Sequence, residues 1–147
     1  MSPMMKLVNW LIGLLQPETS KASGRLRPLA DSKLVTQSDL QWEFLQCLAQ
    51  LIEFAKSNGY KLTAGDLYRD PRVHGEFGKK KGYGAARSVH KLRMAIDLNL
   101  FVGGEYRTDT DAHRELGEYW ESLHDKARWG GHFSDGNHYS FEYWGVK

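Results

Sequence analysis

The chain has 147 residues, 41% of them hydrophobic and 26% charged, which suits the core of one domain and is too few for two ordinary ones. Its net charge is only +2, with both signs interspersed, so the whole-molecule field does not argue for a nucleic-acid partner. The one cysteine, Cys47, excludes a disulfide framework and a cysteine-rich metal cage.

Residues 1–37 read as an N-terminal apolar segment followed by a linker or wrapped loop, and 38–147 as the domain. Met4 to Leu15 is too short for a spanning helix, so no stable membrane span is expected. One lysine precedes the run, but a small-x-small cleavage site is missing. The run reads as a short amphipathic helix packed on the domain and stopped by Pro17; an export or interfacial role is the alternative.

A strong helix follows. Ser38 is the expected N-cap, with Gln41 completing a capping box. Leu40, Phe44, Cys47, Leu48, Leu51, Ile52 and Ala55 recur at helical spacing and define a core-facing side, which makes Cys47 a small buried hydrophobe. Asn58-Gly59 ends the helix. Tyr60 to Tyr68 reads as a strand.

Pro71 to Ser88, glycine-rich with three consecutive lysines, reads as a long exposed loop. Together with Arg87, Lys91 and Arg93 those lysines hold the local basic excess, either a solvated surface or an anion-binding face. Ala95 to Val102 alternates as a strand and Gly103-Gly104 closes a hairpin. Thr110 to Ala127 reads as a second helix with Leu116, Tyr119, Trp120 and Leu123 inward. Trp129-Gly130-Gly131 breaks the chain before a last strand, His138 to Trp144. The fold class is α+β, helices packed on one antiparallel sheet.

The chemistry sits in two motifs. Ser88-Val89-His90 is followed by Asp97 inside an apolar strand, and Asp135-Gly136-Asn137-His138 opens the last strand. Alternation puts Asp97 on the polar face of its strand and His138 on the polar face of its own, so neighbouring strands bring them together, with His90 approaching from the preceding loop. A carboxylate among Ala, Ile and Leu costs several kcal/mol of desolvation (~3 or more) unless paired or metal-bound. A salt bridge to Arg87, Arg93 or another cation, or simple exposure on a wet sheet face, is the alternative. Two imidazoles and a carboxylate leave a fourth zinc position open, as in catalytic sites. Asp135 is placed to act as general base.

Ser88-x-His90-x6-Asp97, with Ala95 two before the aspartate, resembles the SxHxxGxAxD motif of zinc D-Ala-D-Ala carboxypeptidases and L-alanyl-D-glutamate endopeptidases. Asp135-x-x-His138 resembles their second motif, and Trp129-Gly130-Gly131 the segment before it in phage endolysins of this group. Two departures stand out: Arg93 or Met94 occupies the region of the family glycine, and Glu142 lies two residues beyond the usual acidic position after the last histidine.

The resemblance implies the hedgehog/D-Ala-D-Ala peptidase-like fold and a Zn2+ cofactor held by His90, Asp97 and His138. It further implies Asp135 as catalytic base, Arg69 as the arginine that stabilises the substrate carbonyl, and Ser88 as a substrate-binding or orienting serine. The implied partner is the bacterial peptidoglycan stem peptide, cut by a monomer made in the host cytoplasm and acting in the periplasm or cell wall. A D-Ala-D-Ala carboxypeptidase and a non-catalytic zinc-containing wall-binding or virion module are the alternatives. His132 is a weaker ligand candidate, His74 lies in the basic loop, and His113 and His124 are expected at the surface of the second helix.

Overall fold

Thr36, not Ser38, caps the first helix, α1 (Gln37–Ser57): its hydroxyl accepts from Asp39 N, and the Asp39 carboxylate accepts in return from Thr36 N at 2.8 Å. The capping box therefore opens two residues earlier than expected, with aspartate in the role usually filled by Glu or Gln. At the other end Asn58 closes the helix and Gly59 takes φ +75, the left-handed conformation that glycine reaches without steric cost. The computed structural model describes residues 34–147; the apolar run Met4 to Leu15, and the linker up to residue 33, lie outside the described residues.

The remaining elements are β1 (Lys61–Ala64), a one-turn helix α2 (Pro71–His74), β2 (Ala95–Val102), β3 (Glu105–Arg107), α3 (Arg114–Leu123), β4 (Ala127–Trp129) and β5 (His138–Phe141). Short 3-10 turns precede β2 (Val89–Leu92) and α3 (Thr110–His113) and follow β4 (Gly130–Phe133). The antiparallel sheet runs β1-β2-β5-β4, with β3 also paired to β2, and β2 is its axis. The first half of β2 pairs with β5, Ala95 opposite Ser140 and Asp97 opposite His138, while its second half pairs with β1 and β3.

Several boundaries differ from the sequence expectation. The strand expected over Tyr60 to Tyr68 stops at Ala64, because the chain turns in against β2: Gly65 N donates to Asp97 O and Asp97 N to Asp66 O, each at 2.8 Å. A Cβ on Gly65 would sit 3.1 Å from that carbonyl, so the close approach suits glycine. The second helix has 10 residues and is shorter than expected at both ends. Its first turn is 3-10, and Ala127 belongs instead to β4, a strand too short for periodicity to reveal. The last strand ends at Phe141, and Tyr143 bridges back to Val146.

The core lies between the sheet and helices α1 and α3. Phe44 meets Trp120 and Phe141 edge-on, both at 5.5 Å, pairs that contribute about 0.5–1.5 kcal/mol each beyond their buried area. Leu116, Trp120 and Leu123 are buried as expected, and Tyr119 is half-buried, stacked on Phe54 at 3.9 Å. Cys47 is fully buried, and burial, reinforced by Glu43, pushes its thiol up to about 11, as befits a packing residue rather than a nucleophile. Ile52, expected inward, is exposed.

His113 and His124 correct the expectation of surface histidines. The 3-10 turn rotates His113 into the core, where its Nδ1 lies 2.9 Å from the Tyr139 hydroxyl; His124 pairs with Glu43 at 3.1 Å and stacks on Phe141. Among the described residues no helix is long and apolar enough to cross a membrane.

Candidate metal centre

The register of β2 against β5 sets Asp97 directly opposite His138, and the 3-10 turn Val89–Leu92 carries His90 in from the side. His138 Nδ1 lies 3.0 Å from Asp97 Oδ1, His90 Nε2 lies 3.3 Å from the same oxygen, and the two ring nitrogens are 3.3 Å apart. A tetrahedral ion bonded at about 2.0–2.1 Å separates its ligand atoms by about 3.3 Å, so the three atoms already stand at ligand spacing. The group can hold a metal ion.

The surroundings fix this arrangement. His90 is fully buried and its Nδ1 lies 3.1 Å from the Leu67 carbonyl, so Nδ1–H donates there and Nε2 keeps its lone pair for the centre. Burial raises the Asp97 carboxyl, but the His138 and His90 imidazoles lower it by more, and it rests far below the usual carboxylate range. Asp97 is thus an anion facing two imidazoles. Arg93 stacks on Tyr68 at 3.9 Å and Arg87 lies over Phe77, so the arginine partners considered for Asp97 are engaged elsewhere. His138 Nε2 is buried and has no hydrogen-bond partner among the described residues.

Arg69 and Ser88 form one assembly behind the histidine. Arg69 Nη1 donates to Ser88 Oγ at 3.2 Å, its Nε and Nη2 reach Asp66 Oδ2 at 3.3 Å, and its backbone N donates to His90 O. Ser88 does not cap the turn with its side chain. Asp66, which also accepts from the Tyr83 hydroxyl at 3.1 Å, was not legible as a site residue in the sequence; only its spacing of three from Arg69 hinted at a pair.

Asp135 stands apart from the ligand triad. Its carboxylate is exposed and engaged by no hydrogen bond or ion pair among the described residues, while its carbonyl accepts from His138 N at 3.1 Å. His132 is not a ligand: it points to Glu121, with Nε2 2.9 Å from Oε2. His74, the last residue of α2, is buried beside Tyr83 and lies outside the triad.

Arg93 occupies the glycine place of the motif and has φ 56, a left-handed conformation that costs a non-glycine residue about 1–3 kcal/mol. The turn between His90 and β2 thus keeps a glycine-like backbone with an arginine in it, held by Tyr68. No family model, no curated protein and no solved structure matches the chain, so the likeness rests on the motif residues alone. Fold and site together define an α+β domain with a candidate three-ligand metal centre.

Proposed function

We propose that the protein is a zinc-dependent peptidoglycan peptidase with the D-Ala-D-Ala peptidase-like fold, of the endolysin type that cuts between L-Ala and D-Glu in the stem peptide. The observation that carries this reading is the His90–Asp97–His138 triad, three ligand atoms at 3.0–3.3 Å from one another. Two imidazoles and a carboxylate suit zinc and also iron(II), and the hydrolytic reading favours zinc. Zinc there supplies Lewis acidity toward an amide carbonyl and acidifies water toward neutrality.

The chain's own residues do the rest. Asp135, its carboxylate free of other partners and its backbone tied to His138, takes the proton from the attacking water and returns it to the leaving amine. Arg69, pre-set by Asp66 and Ser88, faces negative charge developing on the carbonyl oxygen. Ser88 holds Arg69 rather than capping the turn, which makes it an orienting residue.

The test is mass spectrometry of purified peptidoglycan after incubation, with and without a chelator, for wild type and Asp135→Asn. Chelator-sensitive exposure of D-Glu amines supports the endopeptidase, and an Asp135→Asn loss of about 100-fold or more with metal content intact supports the base. Release of terminal D-Ala alone moves the protein to the carboxypeptidase. The absence of any product from zinc-loaded protein leaves the structural module and ends the catalytic reading.

A further inference from the structure

The protein's charge is not spread evenly. Residues 69–93 hold eight basic side chains against two acidic ones, Asp70 and Glu76, a local +6; with the whole chain at +2, the remainder carries −4. Six of those cations are exposed: Arg72, Lys79, Lys80, Lys81, Arg87 and Arg93. Among the described residues Lys79 and Lys80 have no side-chain hydrogen-bond or ion-pair partner, Arg87 and Arg93 face rings, the Lys81 ammonium donates to Arg72 O, and Arg72 alone is neutralised, by Asp70.

The cations stand on an anchored base. Lys91 is buried, and its Nζ donates to three loop carbonyls, Lys79 O at 2.7 Å, Ala86 O at 3.1 Å and Glu76 O at 3.3 Å. Among the described residues no carboxylate joins it. One lysine therefore gathers both limbs of the loop onto the 3-10 turn that carries His90, and Gly78 N closes the gathering on Ala86 O at 2.9 Å. A loop meant only to be solvated has no need of a buried ammonium at its root, since ordering it costs about 1–2 kcal/mol per residue in backbone entropy.

We infer that residues 72–93 form a fixed cationic collar beside the metal centre that captures a carboxylate-rich polymer, the stem peptides of the wall, before hydrolysis. The inference rests on the peptidase reading for the identity of the polymer, since stem peptides carry several free carboxylates. Clustered like charges raise the local concentration of an oppositely charged chain and speed encounter by about 10-fold or more at low salt. Distances beyond about 8–10 Å are screened at physiological salt, so the effect belongs to the ligand's final approach.

The experiment is co-sedimentation of the full chain with purified peptidoglycan sacculi in the presence of chelator, so that binding is read without turnover. Lys79→Glu/Lys80→Glu is the test variant, because both side chains are exposed and, among the described residues, form no hydrogen bond or ion pair, and Lys56→Glu on α1 is the remote control. Binding by wild type is expected to fall about tenfold between about 50 mM and 500 mM NaCl, where the screening length shrinks severalfold. The double variant is expected to bind at least fivefold more weakly at the low salt, the control to bind as wild type, and sacculi with amidated carboxylates to be bound by neither. Wild-type binding that ignores salt or amidation, or a double variant that binds normally, overturns the collar. Because binding is read in chelated protein, these outcomes are independent of whether any bond is cut.

Discussion

Asp97 and His138 are register partners on adjacent antiparallel strands, 41 positions apart in sequence, and their side chains meet at 3.0 Å. The centre therefore exists only when β2 and β5 are paired, and an ion bound there stabilises the folded chain alone. At about 100 times its dissociation constant such an ion adds about 2.7 kcal/mol. Zinc is expected to raise the melting temperature by several degrees, the chelator to reverse this, and Asp97→Asn to abolish the response. A melting temperature indifferent to metal in the wild type rejects the site.

Lys91→Met should loosen the loop without dismantling the core. The substitution keeps the stem's apolar packing and removes the donor shared by three carbonyls, a loss of about 1–3 kcal/mol. Limited trypsin digestion reads it directly: cleavage after Lys79, Lys80 or Lys81 should accelerate by about tenfold or more for a destabilisation of about 1.4 kcal/mol. Equal cleavage rates in the two proteins refute the anchoring role.

Gly117 lies mid-helix in α3, where alanine normally gains up to about 1 kcal/mol. Here a methyl group would overlap the Trp129 indole, and overpacking of that kind costs about 1–3 kcal/mol. Gly117→Ala is therefore expected to lower the urea midpoint despite its better helix propensity. A midpoint that rises would show that the indole can move aside.

Acid should expose the buried His113. Burial lowers its pKa below 6.5, so between 6.5 and the folded value the unfolded chain binds a proton that the folded chain refuses. Stability is unaffected by this group above that range and declines as pH falls through it. His113→Gln, able to keep a bond to Tyr139, should lose stability less steeply than wild type between about pH 6.5 and 5. Parallel curves for the two proteins dismiss the assignment.

The candidate ligands were legible in the sequence because strand alternation is a strict period: Ile96, Leu98 and Leu100 are core residues, which forces Asp97 to the opposite face. Helix α1 was legible through its apolar spacing, apart from its cap. What escaped notice depends on partners distant in sequence or on non-repeating backbone. His113 was misplaced because one 3-10 turn shifts the helical phase, and β4 because three residues carry no period. Lys91 looked like one more surface cation; its role needs the positions of Glu76, Lys79 and Ala86, which no local pattern encodes. Ser88 and Arg69 were both singled out as site residues, but their bond to each other and to Asp66 appears only in the fold.

Trp129 is buried, flanked by Gly117 and Gly131, and its Nε1 donates to Gly136 O at 2.7 Å across the turn that carries Asp135 and leads into His138. Tryptophan emission responds to the polarity around the indole, so this ring is an intrinsic optical gauge of the turn's integrity. Trp10, the exposed Trp42 and Trp144 and the buried Trp120 also emit, so the Trp129 signal is read as the difference from a Trp129→Phe variant. The order of the segment next to the candidate metal centre can thus be followed in solution by light alone, with no label attached near the candidate ligands.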